Sequence, residues 1–436
     1  MSDEKKVVLA LRERPQPLQW LLLSVQHLFA MFGATVLVPA LTGMSPAVAL
    51  ISSGIGTLVF IVITQGKVPS YLGSSFAFIN PIIAVKALEL DPSSGVGVGS
   101  YLVGCFLVGV LYAVVALVIA RTGTQWLMKL LPPIVVGPVI MVIGLGLSVT
   151  AVNMATHDAS DSYDLTYALT GLVTLTVTIL ASVFLRGFLS VIPVLIGIIG
   201  GYLFALLIGI VDFRAVMEAP WVALPPFEIP FVDYTPTLTG TAFLLIVPVA
   251  IVPIAEHIGH QLILSKVVGK NLIEDPGLHR SMLGDGVATM LAALIGGPPN
   301  TTYGENIGVL AITRAFSIYI FIGAAVLAIL LGFCGKISVL LSTIPTPVIG
   351  GVSILLFGII ASSGLRMLVE NKVDFSRKRN LIIASVILVL GIGGAAIRLE
   401  NLFTLEGMAL ASVAGVILNQ VLPGKEPADF GKMFQG

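Results

Sequence analysis

Residues Pro298–Ser317 read PPNTTYGENIGVLAITRAFS, and this stretch decides how the rest of the chain is taken. A break rich in Gly and Pro leads into a short apolar run, with Glu305 and Asn306 at the junction. A charge on a helix in hydrocarbon costs roughly 2.5–3.5 kcal/mol on insertion scales, so an acid kept there is expected to face a polar cavity and serve a ligand or an ion. The run at 303–313 is also too short to cross a bilayer, which takes about 20 helical residues. A broken helix with an acid at its start is the sequence mark of a carrier's binding site.

Outward from this stretch the composition is that of a membrane protein. Of 436 residues, 56% are hydrophobic and 11% charged, against about 25% charged in soluble domains, and the mean hydropathy is +1.03. The formal net charge is +0 with no long run of one sign, which argues against nucleic acid as a partner and against a polybasic lipid-binding tail. Cys105 and Cys334 lie inside apolar runs, so neither a disulfide nor a metal site is expected from them. The start, MSDEKKVVLALRERPQPLQW, has charges on both sides of a short apolar run and is not the pattern of a cleaved signal peptide.

Apolar runs near 17–38, 46–65, 73–88, 97–120, 132–152, 166–185, 189–211, 238–261, 282–297, 303–313, 316–341, 345–363, 379–397 and 405–422 predict an all-α polytopic fold of fourteen segments. The run at 73–88 is unusual in opening on polar residues, YLGSSFAF (71–78). If the segments alternate from a cytoplasmic N-terminus, all 23 basic residues except Lys86, Arg214, Lys336 and Arg398 fall on the cytoplasmic side. Outer loops collect Glu89, Asp91, Asp158, Asp161, Asp164, Asp212, Glu218, Glu228 and Asp233 instead. The positive-inside rule therefore supports this count and predicts that both termini are cytoplasmic.

Three short matches join the halves of the chain. PIVVGPVIMVIG (133–144) resembles PVIGGVSILLFG (347–358) at an offset of 214, Gln26-His27 echoes Glu256-His257, and Ser74-Ser75-Phe76 echoes Thr301-Thr302-Tyr303. Each pair lies seven segments apart, and an odd shift reverses direction across the bilayer. The expected architecture is two inverted seven-segment repeats with a site between broken helices at the midplane.

Polar residues inside the apolar runs are the candidate site. On AEHIGHQL (255–262), Glu256 and His260 are four apart and share one helix face, while His257 points partly aside. A carboxylate and an imidazole on one face suit proton traffic. The plain alternative is a structural hydrogen-bonded pair. A metal pair formed by the two histidines is disfavoured, because the HExxH frame and nearby cysteines are missing, and a metal-dependent intramembrane hydrolase is set aside with it. Gly73 to Phe78 and Asn300 to Glu305 each offer small residues, an aromatic ring and backbone that need not be helical beside a cavity. Two such segments meeting head-on leave N–H groups at a common point, ready for a carbonyl or an anion. Phe76 and Tyr303 either stack on a flat ring or pack as ordinary aromatic residues; periodicity does not choose. Gln26 and His27 are expected to bridge helices, a contact worth roughly 0.6–2 kcal/mol. Ser75, Asn306, Thr313 and Arg314 are expected to support the site, with Arg314 snorkelling to water at the cytoplasmic end.

From Glu305 onward the chain reads Glu305-Asn306-x-Gly308-x-x-x-x-Thr313-Arg314. This resembles the signature of the nucleobase–ascorbate transporter family, also called the second nucleobase:cation symporter family: an acid or Gln, then Asn-x-Gly, four residues, Thr-Arg. QHLFAMFGATVLVP (26–39), VPSYLGSSFAF (68–78), AEHIGH (255–260), DPGLHRSM (275–282) and NTTYGENIGV (300–309) are similar to its bacterial uracil-carrying members, and the likeness runs from residue 15 to 422. The resemblance implies two inverted repeats divided into a core domain (16–120 and 236–343) and a gate domain (121–235 and 344–423), with cytoplasmic tails at 1–15 and 424–436. It implies short antiparallel β-strands at the broken third and tenth segments. By this likeness Glu256 and Glu305 accept from the ring N–H groups of uracil, and the amides of Phe76 and Gly304 donate to its carbonyls. Phe76 and Tyr303 flank the ring, and His260 belongs to the proton network. Relatives carry a cavity tyrosine where this chain has Phe357, so a hydroxyl contact is not expected there. The implied activity is uracil:proton symport across the cytoplasmic membrane by a homodimer, with no cofactor, no metal and no enzymatic step. Carriers of xanthine or another nucleobase are the alternative. An inorganic-anion carrier of the same general fold is a weaker one, since two carboxylates oppose an anion, and a receptor or channel ranks below both.

Overall fold

The computed structural model describes residues 7–91, 94, 96–399 and 403–424. The outer parts of the two expected tails, 1–6 and 425–436, lie outside the described residues, and Lys5, Lys6, Lys425 and Lys432 with them. In chain order the main elements are α1 (Pro17–Thr42), α2 (Pro46–Ile63), β1 (Leu72–Ser74), α3 (Ile79–Glu89), α4 (Ser100–Thr122), α5 (Pro133–Thr156), α6 (Leu165–Phe184), α7 (Pro193–Leu207) and α8 (Gly240–Val268). Then follow α9 (Leu278–Leu294), β2 (Asn300–Thr302), α10 (Gly304–Thr313), α11 (Ile318–Gly332), α12 (Thr346–Glu370), α13 (Lys378–Ile392), β3 (Ala396–Leu399), β4 (Phe403–Glu406) and α14 (Gly407–Val421). Among the described residues, seven helices (α1, α2, α4, α5, α6, α8 and α12) are long and apolar enough to cross a membrane. The chain is a multi-pass, mostly helical membrane protein.

Local sequence explains where these helices begin and bend. Pro17, Pro46, Pro133 and Pro193 open α1, α2, α5 and α7, where a missing N–H leaves no gap in the helix ladder. Gly43 closes α1 with φ +66°, a left-handed conformation that an L side chain resists. In α8 the turn at Val247–Ala250 tightens to 3-10 geometry around Pro248, and the regular helix resumes at Ile251. Bare backbone lets neighbouring helices touch. A Cβ on Gly109 would lie 2.5 Å from the carbonyl oxygen of Gly286, and one on Gly137 would lie 2.7 Å from Leu368. These contacts seat α4 against α9 and α5 against α12, the small-residue packing expected where lipid gives no hydrophobic drive between helices.

Several boundaries differ from the sequence expectation. The run at 316–341 breaks after Gly332 and continues as a separate short helix, Gly335–Ser342, because Cys334 is extended and its neighbourhood pairs with the 220–223 loop. The run at 379–397 stops at Ile392, and its end becomes β3, which pairs antiparallel with β4 from Ala396↔Glu406 to Leu399↔Phe403. Apolar β-branched residues such as Ile397 read alike as helix or strand when the run is short.

The site is positioned by a crossing of two broken segments. β1 and β2 pair antiparallel, Leu72 with Thr302, Gly73 with Thr301 and Ser74 with Asn300. Thr57 on α2 receives the Leu72 amide on its hydroxyl at 3.0 Å, and Thr289 on α9 donates to the Asn300 carbonyl at 3.0 Å. Each strand is thus held by a helix of its own half. A 3-10 turn, Phe76–Phe78, then leads into α3, and Gly304 starts α10 directly.

Candidate functional site

Beyond the crossing, side chains from α8 and α10 face one opening. Glu305 in the first turn of α10 is exposed although both neighbours beyond it, Asn306 and Ile307, are buried. The Glu256 side chain retains 40% of its accessible surface and that of His260 16%, and Glu256 Oε1 stands 3.9 Å from His260 Nε2. Phe76 and Gly304 are also partly exposed. Gly304 is small for a reason: a Cβ there would sit 3.1 Å from His260 Nε2. Gly304 opens α10 beside His260, and first-turn amides of a helix have no intrahelical acceptor. The opening therefore combines two carboxylates and an imidazole beside the start of α10.

Behind it runs a buried chain of hydrogen bonds. His260 Nδ1 lies 3.3 Å from the Thr302 hydroxyl, which is 3.3 Å from His257 Nδ1. His257 Nδ1 in turn lies 2.8 Å from Asp285 Oδ2, with both side chains 1% exposed, and His257 Nε2 meets the Ser281 hydroxyl at 2.9 Å. Thr302 links the two histidines across strand β2. Asp285 was absent from the residues singled out in the sequence, although an acid in the apolar run 282–297 carries the same signal as Glu305.

The other expected residues divide in two. His27 is fully buried and joins α1 to α10, with Asn306 Nδ2 donating to His27 Nδ1 at 3.0 Å and to the His27 carbonyl at 3.1 Å. Gln26 beside it is half-buried. The Ser75 amide donates to Pro299 O at 2.9 Å and ties β1 to the break before β2. Tyr303 is 4% exposed and its hydroxyl donates to the Ser74 carbonyl at 2.8 Å, so it fastens the strand crossing from behind. Phe76, by contrast, presents open surface. Thr313 Oγ1 donates to Val309 O at 2.9 Å and closes α10. Arg314 does not simply snorkel: it is half-buried, and Nη1 reaches Val267 O at 3.4 Å in the last turn of α8, where a cation complements the carbonyl end of the helix. Phe357 is 2% exposed and packs with Val38, Ile79, Leu147 and Ala151 beside Phe76. Among the described residues no group of His, Cys, Asp and Glu is arranged to hold a metal ion.

A family model described as a permease family matches residues 18–399. A uracil permease of Bacillus subtilis (strain 168) is 60% identical over 426 residues, covering 97% of this chain and 96% of the relative. A uracil permease of Escherichia coli (strain K12) is 45% identical over 414 residues, 94% of this chain and 92% of the relative. Among solved structures, the transmembrane domain of a cyanobacterial bicarbonate transporter, BicA, superposes with a TM-score of 0.65 at 12% identity, over 94% of this chain and 98% of that one. At that identity the likeness is one of fold alone.

Proposed function

This chain belongs to the permease family, and from that premise we propose that it carries uracil into the cell together with protons. The observation that carries the reading is that Glu256 and Glu305, costly in an apolar protein, face one accessible opening from two different helices. Uracil offers two ring N–H donors and two carbonyl acceptors on a flat, neutral ring. Glu256 and Glu305 accept from the N–H groups, the amides of Phe76 and Gly304 donate to the carbonyls, and the Phe76 ring stacks on one face. Tyr303 contributes from behind, by holding the backbone that carries those amides. The near-complete coverage by relatives named uracil permeases supports this choice of substrate over xanthine or another nucleobase.

Concentrating a neutral solute requires coupling to an ion. One proton moving inward releases about 2.3 kcal/mol per 100 mV of membrane potential, roughly fifty-fold accumulation. The chain from His260 through Thr302 and His257 to Asp285 supports proton coupling, since it joins the opening to a carboxylate out of contact with bulk water. In this account the fourteen helices α1–α14 are membrane segments forming two inverted repeats, with α3 and α10 as half-helices that the strands complete. A core domain (16–120 and 236–343) moves against a gate domain (121–235 and 344–423) in a homodimer of the cytoplasmic membrane, with both termini inside.

Uptake of labelled uracil by cells expressing Glu256→Ala or Glu305→Ala tests the assignment. Transport is expected to vanish while the protein still reaches the membrane; normal uptake by either variant contradicts it. Competition by unlabelled uracil, xanthine, guanine and sulfate distinguishes uracil from the alternatives, and of these only uracil is expected to reduce the signal.

A further inference from the structure

The described part of the N-terminal tail is built into the protein. The amides of Val8 and Leu9 donate to Arg314 O at 3.0 and 3.4 Å, Phe316 N donates to Leu9 O at 2.9 Å, and Ile318 N donates to Leu11 O at 2.9 Å. The Ser317 hydroxyl adds a bond to the Glu13 carbonyl at 2.6 Å. Leu9 is 4% exposed and packs with Ala315 and Ile320. Leu9 and Ala315 bridge in parallel, so the tail runs alongside the loop between α10 and α11 as an added strand.

That loop is where α10 most needs support. α10 has ten residues, a rod of about 15 Å, and one face of it, Glu305, Gly308 and Ile312, is open. Its first turn is held by the Asn306–His27 bonds. Its last residue runs into Arg314 at φ +54°, where the helix ends and nothing continues it in line. A rod of that length tilted by a few degrees at one end moves the other by about an ångström, more than a well-held site tolerates. We propose that residues 8–13 act as a strap that fixes the C-terminal end of α10 and thereby sets the position of Glu305 in the opening. The ligand-binding half of this inference rests on the reading of Glu305 given above; the mechanical half does not.

The test uses the full chain with Cys105 and Cys334 replaced by Ala and a single reporter, Gly308→Cys, beside a version lacking residues 2–13. Gly308 has no atom within 4 Å of an added Cβ, so the reporter fits. Removing the strap is expected to change the rate of maleimide labelling about five-fold and to weaken the uracil Kd about ten-fold, as a shift of roughly an ångström at the site implies. A synthetic peptide of residues 1–16 is expected to restore both. An unchanged labelling rate overturns the strap. A changed rate in a protein whose untruncated form binds no uracil leaves the strap standing and removes the uracil reading. Should the truncated chain fail to accumulate, Leu9→Asp, which puts a charge into the buried contact with Ala315 and Ile320, is read the same way: an altered labelling rate supports the strap and an unaltered one overturns it.

Discussion

Glu256 and Glu305 keep accessible surface while Asp285 is buried, and the proposed function gives them different work. Groups that meet solvent and ligand set affinity. A carboxylate buried against His257 is set back from the opening, and in the proposed mechanism its part is to exchange a proton along Thr302 and His260. Replacing Asp285 by Asn keeps the volume and removes that exchange. We therefore expect Asp285→Asn to bind uracil within about three-fold of the parent Kd, because the site itself is untouched, and to lose net accumulation by about ten-fold or more, one decade being about 1.4 kcal/mol. Equilibrium exchange of labelled for unlabelled uracil, compared with uphill uptake in the same vesicles, separates the two. Loss of exchange and of accumulation together would make Asp285 a structural support.

At the scale of elements, the strand crossing depends on a bare backbone. A Cβ on Gly73 would lie 2.6 Å from the Tyr303 ring and 2.7 Å from Thr35 Oγ1, both buried in the core. Gly73→Ala is expected to cost about 1–3 kcal/mol, as overpacking commonly does, and to lower both the melting temperature in detergent and the affinity for uracil. A Gly73→Ala protein equal to the parent in both would show that the crossing is loose. The broken segments themselves were legible in the sequence, since YLGSSFAF and NTTYGEN interrupt apolar runs with polar and small residues. Glu256 and Glu305 stood out for the same reason, as charges where hydrophobicity is the rule. Other features left no local trace. The strap pairs residues about 300 positions apart in sequence, and nothing within VVLALRE (7–13) marks its partner. The hairpin of β3 and β4 lies between two apolar runs whose composition fits helix equally well. Which way Tyr303 turns was decided by the Ser74 carbonyl, a contact that only the register of the strands creates.

In the whole molecule, movement between the proposed domains must pass through a few close contacts. Gly33 on α1 faces α7, where an added Cβ would lie 2.6 Å from Val194 Cγ1 and 3.1 Å from its Cβ. Disulfides need Cβ atoms about 3.5–4.5 Å apart, a separation that a small relaxation supplies. In a Gly33→Cys, Val194→Cys protein we expect oxidation to stop uracil uptake, reduction to restore it and uracil binding to persist in the locked form; full uptake with the bond formed would mean that α1 and α7 do not move apart. On the side of Phe76, the apolar group of Val38, Ile79, Leu147, Ala151 and Phe357 joins α1, α3, α5 and α12, and the proposed movement would have to part this contact. The most direct test of the account is uracil accumulation in proteoliposomes of the purified protein under an imposed inward proton gradient. Uphill accumulation should collapse on adding a protonophore and be absent with Glu256→Gln or Glu305→Gln. Accumulation that survives the protonophore, or that either Gln variant sustains at the parent level, would contradict the claim that these two carboxylates carry uracil and a proton together.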